Sequence, residues 1–462
     1  MINYFNFKKY KDKVLITNDM GYYAFLSKED FSLLIKDEIG DKHPIFAELT
    51  QKNFILNGHP FIVTGQAAGD YIRFKGYLRQ SASLHIFVLT NRCNMHCKYC
   101  QAQSEKSEVY GFMTKEIAKK AVDIALQSPD SMLTFEMQGG EPLLNFDVMK
   151  YLIEYTEDNK KDKQIFYSIT TNGTLINDDI LNFFEKYKVS VSISLDGSQT
   201  IQRYNRPMNN GDDSFVYIKK NVPKLKERNI FGGAVLTTTN YSISRWKEII
   251  DTYLSLDCHE IFIRPLTPLG YANDHWKEIG YTVDEFLNFY RNAIEYILQV
   301  NRQGVIIREM HAMIFLRKML SQVSDNYMEL RSPCGATVGQ VAYYYDGNIY
   351  TCDEGRMIAQ MGDDSFCLGN VFESSYYNLV KCDSCKAICG ASILECLPGC
   401  SDCVYSPYCG TCPATTYALE HSIYTRSYKN YRCKTYSGML DILFELLLND
   451  ENKSIFESWI EN

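Results

Sequence analysis

The 462-residue chain carries 48 Lys and Arg against 56 Asp and Glu, a net charge of −8, and 45% of its residues are apolar. That length exceeds one ordinary core and predicts two or three units, while the acidic balance excludes a bulk phosphate-backbone binder, so nucleic acid is not an expected partner. No apolar run reaches the ~18 residues of a membrane span and residues 1–13 lack the apolar core of a signal peptide, which predicts a cytoplasmic protein with no membrane partner. Sixteen Cys in such a chain point to metal ligation rather than disulfides, because the cytosol keeps thiols reduced. They fall in two regions: three at 93–100 and twelve from Cys334 to Cys433, with Cys258 alone between them as an inert buried thiol.

Residues 1–80 hold no Cys. Two apolar runs flank Asn18 to Gly21 as a predicted hairpin, Ser27 to Asp30 reads as a capping box opening a helix, and 43–52 gives a second short helix. The stretch resembles the small winged-helix modules that bind leader peptides in peptide-modifying systems; a packing arm is the alternative. From Leu84 the pattern alternates strand and helix. Strands are expected at 84–90, 133–137, 165–171, 189–195, 234–239 and 260–265, and helices at 115–127, 147–158, 178–187, 215–227, 244–256 and 283–300. This is α/β patterning, and six units predict a partial (β/α)6 TIM-like barrel over residues 81–310, with chemistry at the carboxyl ends of its strands. A cysteine-rich unit follows over 311–440. Residues 441–462 read as an amphipathic helix, its apolar face interrupted by Asp441 and Glu445.

Cys93, Cys97 and Cys100 sit at the end of the first strand. Three thiolates grip three corners of a cubane cluster that takes four when saturated, which leaves one iron open. A zinc knuckle using His96 is the alternative. At the second strand end, Gln138, Gly139, Gly140 and Glu141 precede Pro142; paired glycines permit close approach of backbone to a ligand, and Glu141 is able to accept from a charged amine. Thr171, Asn172 and Gly173 end the third strand, Ser194, Asp196 and Gly197 the fourth, and Arg206 precedes Pro207. The CxxxCxxC loop together with these motifs resembles the radical S-adenosylmethionine (SAM) superfamily in its peptide-maturing branch. The resemblance implies an enzyme that cleaves SAM reductively at a 4Fe–4S cluster. It also implies Tyr99 near the adenine, Gln138 to Glu141 at the SAM amino group, Asn172 and Ser194 beside the cofactor, and Arg206 at its carboxylate.

In the tail, Cys334, Cys352, Cys400, Cys403, Cys409, Cys412 and Cys433 resemble the seven-cysteine pattern of the SPASM domain, with two residues in place of three between Cys409 and Cys412. A zinc ribbon is the alternative. The resemblance implies two auxiliary 4Fe–4S clusters, one held by Cys400, Cys403, Cys409 and Cys433, the other by Cys334, Cys352 and Cys412. The second lacks a fourth ligand: either an iron is open or one of Cys367, Cys382, Cys385, Cys389 and Cys396 reaches in. Cys382, Cys385 and Cys389 form an inverted spacing that suggests a further cluster or zinc. Residues 397–413, with 84–93 and 127–129, look most like the B-type maturase of the His-Xaa-Ser peptide system. This implies a ribosomally synthesised precursor peptide or small protein as substrate, a flavodoxin- or ferredoxin-type electron donor, and oxidation or cross-linking as outcome. Asp353 matches the position of the base of anaerobic sulfatase maturases. Formylglycine formation on a sulfatase is therefore the alternative activity, and a non-catalytic leader-binding or electron-relay partner the alternative class.

Overall fold

The computed structural model describes residues 1–56, 65–103, 109–323, 326–425 and 430–461. β1 (Asn6–Tyr10), β2 (Lys13–Thr17) and β3 (Tyr23–Ser27) form an antiparallel sheet in that order. Ser27 then caps the helix Lys28–Ile35, its hydroxyl accepting from Asp30 N at 2.9 Å. Short helices at Phe46–Gln51 and Gly65–Phe74 follow; part of the expected leader-binding module, 57–64, lies outside the described residues. Strand alternation gives this sheet two buried faces. Val14, Ile16, Ala24 and Leu26 pack with Leu34 and Leu49 in a small core of their own, whereas Tyr10 and Leu15 join the main core.

The main sheet starts as predicted. β4 (Leu84–Thr90), β5 (Met132–Gly139), β6 (Gln164–Thr171), β7 (Ser190–Ser194), β8 (Phe231–Thr237) and β9 (Glu260–Arg264) run parallel and in sequence order. The helices between and after them match the expected ones within two residues at most ends. A short β10 (Arg308–Glu309) extends the sheet beyond β9. Helices on the outer face bury one side of the strands, so Phe87, Leu89, Phe135 and Ile193 are fully inside, while Val88 packs on the other side with Ala342 and Tyr350.

The expected boundary at residue 310 does not separate two sheets. β11 (Gln340–Tyr343) pairs parallel to β4, and β12 (Asn348–Tyr350) and β13 (Cys367–Asn370) continue antiparallel, giving ten strands in the order β10-β9-β8-β7-β6-β5-β4-β11-β12-β13. A bare edge at β4 would leave backbone N–H and C=O groups unpaired, and the short apolar run after Gly339 satisfies them. His85 locks the junction: one ring nitrogen meets Tyr343 Oη and the other Ala82 O, both at 3.1 Å.

The C-terminal helix also differs from expectation. It begins at Tyr431, ten residues before 441, which places Cys433 in its first turn, and a second helix, Asp450–Glu461, follows its end at Leu446. Asp441 and Glu445 are anchors on its face rather than interruptions. Lys8 Nζ reaches Asp441 at 2.8 Å, and Arg291 reaches Glu445 at 2.6 Å. Among the described residues no helix is long and apolar enough to cross a membrane.

Candidate functional site

The β4 end and the start of the Cys loop are held against β5 by glycine. A Cβ at Gly139 would stand 2.2 Å from Thr90 O, and one at Gly140 2.2 Å from Arg92 O. The glycines therefore admit the chain that leads into the Cys loop, and Gly140 N and Glu141 N donate to Thr90 O and Arg92 O at 2.8 and 2.9 Å. Further along, His96 N donates to Pro207 O and Lys98 N to Asn205 O, so the segment around Arg206 cradles the loop.

Cys93, Cys97 and Cys100 line a cleft of about 540 Å³. Burial pushes the Cys93 thiol well above its usual range, with the Cys97 thiol adding to it. Burial likewise raises Cys97 to about 12 against the opposing Arg206 charge. Buried thiols in mutual repulsion ionise when a cation joins them, so the donor set fits iron. Tyr99, Gln138, Gly139, Gly140, Asn172, Ser194 and Arg206 line the same cleft. Asn172 Nδ2 lies 4.0 Å from Cys93 Sγ and donates to Asn94 at 2.8 Å.

Glu141, expected at an amine, is bonded within the protein. It is fully buried, is not part of the cleft wall, and accepts from Thr171 Oγ1 at 2.7 Å, Asn172 N at 2.9 Å and Leu143 N at 3.0 Å. Its carboxylate ties the end of β5 to the end of β6. Arg206 lies with Nε 3.1 Å from Asp196 Oδ1 and its guanidinium 5.1 Å from the Tyr99 ring centre. Asp196 is the hub the sequence read only as a turn motif: it also accepts from Tyr99 Oη at 2.6 Å and Asn205 Nδ2 at 3.1 Å.

Asp353, Glu354 and Arg356, from the first turn of the helix Asp353–Gln360, line the same cleft. Arg356, 1% exposed, ion-pairs with Asp353. Glu354 has its carboxyl held above the usual range by burial and by the neighbouring Glu329 and Asp353 charges. Two further groups were absent from the sequence reading. Glu136 sits two residues before Gln138 on β5, and the strand period of two would have put it on the same face. Arg264 ends β9, where it pairs with Glu329 at 3.0 Å, and Glu329 pairs in turn with Arg432 at 3.0 Å.

The tail cysteines gather in the two groups that the sequence motif separates. Cys400, Cys403, Cys409 and Cys433 line one cavity, where Thr411 Oγ1, Thr425 Oγ1 and Arg432 Nε have no hydrogen-bond partner among the described residues. Such orphaned donors suit the sulfides of a cluster. Cys334, Cys352 and Cys412 line a second cavity, and Cys412 touches both. Cys352 and Cys412 each cap a helix, their sulfurs accepting from Gly355 N at 3.3 Å and Thr415 N at 3.4 Å, while burial holds both thiols above their usual range. Cys367, Cys382, Cys385, Cys389 and Cys396 line neither cavity. Cys258 is fully buried. Among the described residues no three Cys, His, Asp or Glu side chains converge as ligands of a single metal ion.

Residues 87–256 match the Radical SAM superfamily. The chain carries a radical SAM domain. It is an enzyme, and a 4Fe–4S cluster and SAM are the cofactors of this domain. Two relatives place the radical SAM domain in wider company. The radical SAM cyclopropyl synthase TigE of Paramaledivibacter caminithermalis is 27% identical over 70% of this chain and 68% of its own. A cysteine-type anaerobic sulfatase-maturating enzyme of Clostridium perfringens is 27% identical over 80% of this chain and 98% of its own. Among solved structures, anSMEcpe with bound AdoMet and Cp18Cys peptide superposes with a TM-score of 0.67 at 21% identity, covering 81% of this chain and 99% of that one, a likeness of fold.

Proposed function

We propose that the chain is a peptide maturase that removes a hydrogen atom from a side chain of a ribosomally synthesised peptide, leading to oxidation or a cross-link. We also infer that the two groups of tail cysteines hold auxiliary 4Fe–4S clusters, as in a SPASM domain. The observation that carries this reading is the cleft, a single space lined both by Cys93, Cys97 and Cys100 and by Asp353 and Glu354, the last of which also lines the three-thiol cavity. When bound, the cluster and SAM supply a 5′-deoxyadenosyl radical able to take that hydrogen atom. The chain's residues do the rest. Tyr99, Gln138, Asn172, Ser194 and Arg206 orient the cofactor. Phe262, Met328 and Met357 give the substrate side chain apolar walls. Asp353, fixed by Arg356, accepts the proton that leaves as the substrate radical is oxidised, and the auxiliary cluster that Cys334, Cys352 and Cys412 would hold would supply the acceptor for the electron lost with it.

The substrate class rests on the relatives and on the N-terminal sheet. β1 and β3 are its two edges; Asn6 on β1 donates to Ser401 O and Cys403 O at 3.1 and 3.2 Å, so that edge faces the tail. β3 is the edge that remains, and a peptide adding there as a strand would gain backbone pairing with modest demand on sequence. Formylglycine formation is the second reading, favoured by Asp353 directly after Cys352 and by the match across almost the whole Clostridium perfringens enzyme. Mass spectrometry separates the two. The reconstituted enzyme with SAM and reductant should modify small peptides encoded beside its own gene and leave a Cys- or Ser-type sulfatase peptide unchanged; formylglycine on the latter would overturn the first reading.

A further inference from the structure

The cavity of Cys334, Cys352 and Cys412 has no fourth cysteine on its walls, and its other polar walls are Glu329, Gln340, Thr351 and Glu354. Glu329, Gln340 and Glu354 also line the large cleft. The missing corner of the three-thiol site is thus the partition between the two spaces. Glu329 is already engaged, by Arg264 and Arg432 at 3.0 Å each and by Tyr436 Oη at 3.3 Å. Thr351 donates its hydroxyl toward Cys352 Sγ at 3.6 Å. Glu354 receives no hydrogen bond or ion pair from another described residue and lines the three-thiol cavity as well as the cleft. Gln340, 6% exposed, makes no side-chain hydrogen bond among the described residues and borders both spaces.

We propose that Glu354 is the fourth, oxygen ligand of the cluster held by Cys334, Cys352 and Cys412, bound to the iron that faces the large cleft. Three thiolates leave one iron of a four-iron cubane without a protein donor. A carboxylate carries the same charge as the absent thiolate and binds iron, whereas the Gln340 amide is neutral. Electrostatics points the same way. An unpaired, largely enclosed carboxylate beside Glu329, Asp353 and three thiols is strongly unfavourable unless a positive centre joins it, and iron at the open corner is that centre. Gln340 then has a carboxylate oxygen within its surroundings to which its amide N–H can donate, as ligating carboxylates require.

The inference rests on the reading that these thiols hold a cluster, and the test separates the two. The full chain bearing C93A, C97A and C100A, reconstituted anaerobically, reports the tail clusters alone. Adding C334A, C352A and C412A should remove one cluster's iron; if the iron content is unchanged, the auxiliary-cluster reading itself fails. With that reading in place, E354A should shed one iron per chain on mild oxidation and develop the electron paramagnetic resonance signal of a three-iron cluster, while the E354C variant, with a thiolate in the same corner, keeps its iron. Equal iron retention and identical spectra for E354A and its parent would overturn Glu354 as ligand. If E354A takes up no iron at this site, E354C decides: restored iron supports the ligand role, and continued loss refutes it.

Discussion

Glu141 offers the sharpest separation between holding the protein together and holding its cofactor. In E141A the amides of Leu143 and Asn172 and the hydroxyl of Thr171 lose their acceptor inside a fully buried site. A hydrogen bond to a charged group contributes ~1.5–3 kcal/mol. The two backbone bonds together therefore stabilise the local fold by ~3–6 kcal/mol. Since every 1.4 kcal/mol is about a factor of ten, amide hydrogen exchange at Leu143 and Asn172 should lose roughly two to four decades of protection. E141Q keeps one oxygen for Thr171 and Leu143 but turns an NH₂ toward Asn172 N, so protection should fall most at Asn172. The assay is hydrogen–deuterium exchange on the anaerobic protein, paired with calorimetric SAM binding. Unchanged protection at both amides with a large loss of SAM affinity would refute the argument and return Glu141 to the cofactor.

Other expected outcomes follow from single features. Burial lowers the His85 pKa from 6.5 to about 3. Since the folded state binds fewer protons than the unfolded one in this window, stability present above pH 6.5 is lost as pH falls toward 3, by up to roughly 5 kcal/mol. Denaturation midpoints against pH should show this slope in the parent and a shallower one in H85N. G140A sets a methyl 2.2 Å from Arg92 O and 2.6 Å from its carbon, both backbone; the cysteine loop must shift, and iron uptake by the 93–100 site should drop while the tail keeps its iron. D353N should still form 5′-deoxyadenosine but little modified peptide, and a normal rate of modification with clusters intact would remove Asp353 from the role of base. Bound precursor peptide should protect the amides of Tyr23 to Ser27 on β3; protection nowhere in residues 1–56 would leave the N-terminal sheet as a packing arm. Removing the whole module is a poor test of that point, because Asn6 and Thr17 hold the backbone of Ser401, Cys403 and Val404 and a deletion would disturb the cysteine loop as well.

Most of the parallel sheet was legible because β4 reads as a continuous apolar run, β5 to β9 alternate between a buried face and one turned to the cleft, and the helices between them have clear N-caps such as Thr114 and Asn177. β10 to β13 were not, since runs of two to four residues carry no period and their pairing with β9 and β4 is a tertiary event. The start of the C-terminal helix was hidden by Asn430, whose side chain accepts from Cys433 N; a cap and a metal-site cysteine share one turn. At the cleft, local spacing identified the thiols and the strand-end motifs, all of which lie where strands finish. It missed Asp196 as a hub and the Arg264–Glu329–Arg432 chain, because those partners are 65 and 103 residues apart in sequence. Gly139 and Gly140 make room for Thr90 O and Arg92 O, an approach that only the folded backbone reveals.

The central claim is that the 93–100 loop makes this chain a radical SAM enzyme, and it is tested most directly by following SAM itself. Anaerobically reconstituted protein given SAM and a strong reductant should release 5′-deoxyadenosine and methionine in equal amounts. The C93A, C97A, C100A variant should release neither while retaining the iron of its tail. Iron-loaded parent protein that leaves SAM intact under these conditions, or a triple variant that cleaves it as fast as the parent, would contradict the account.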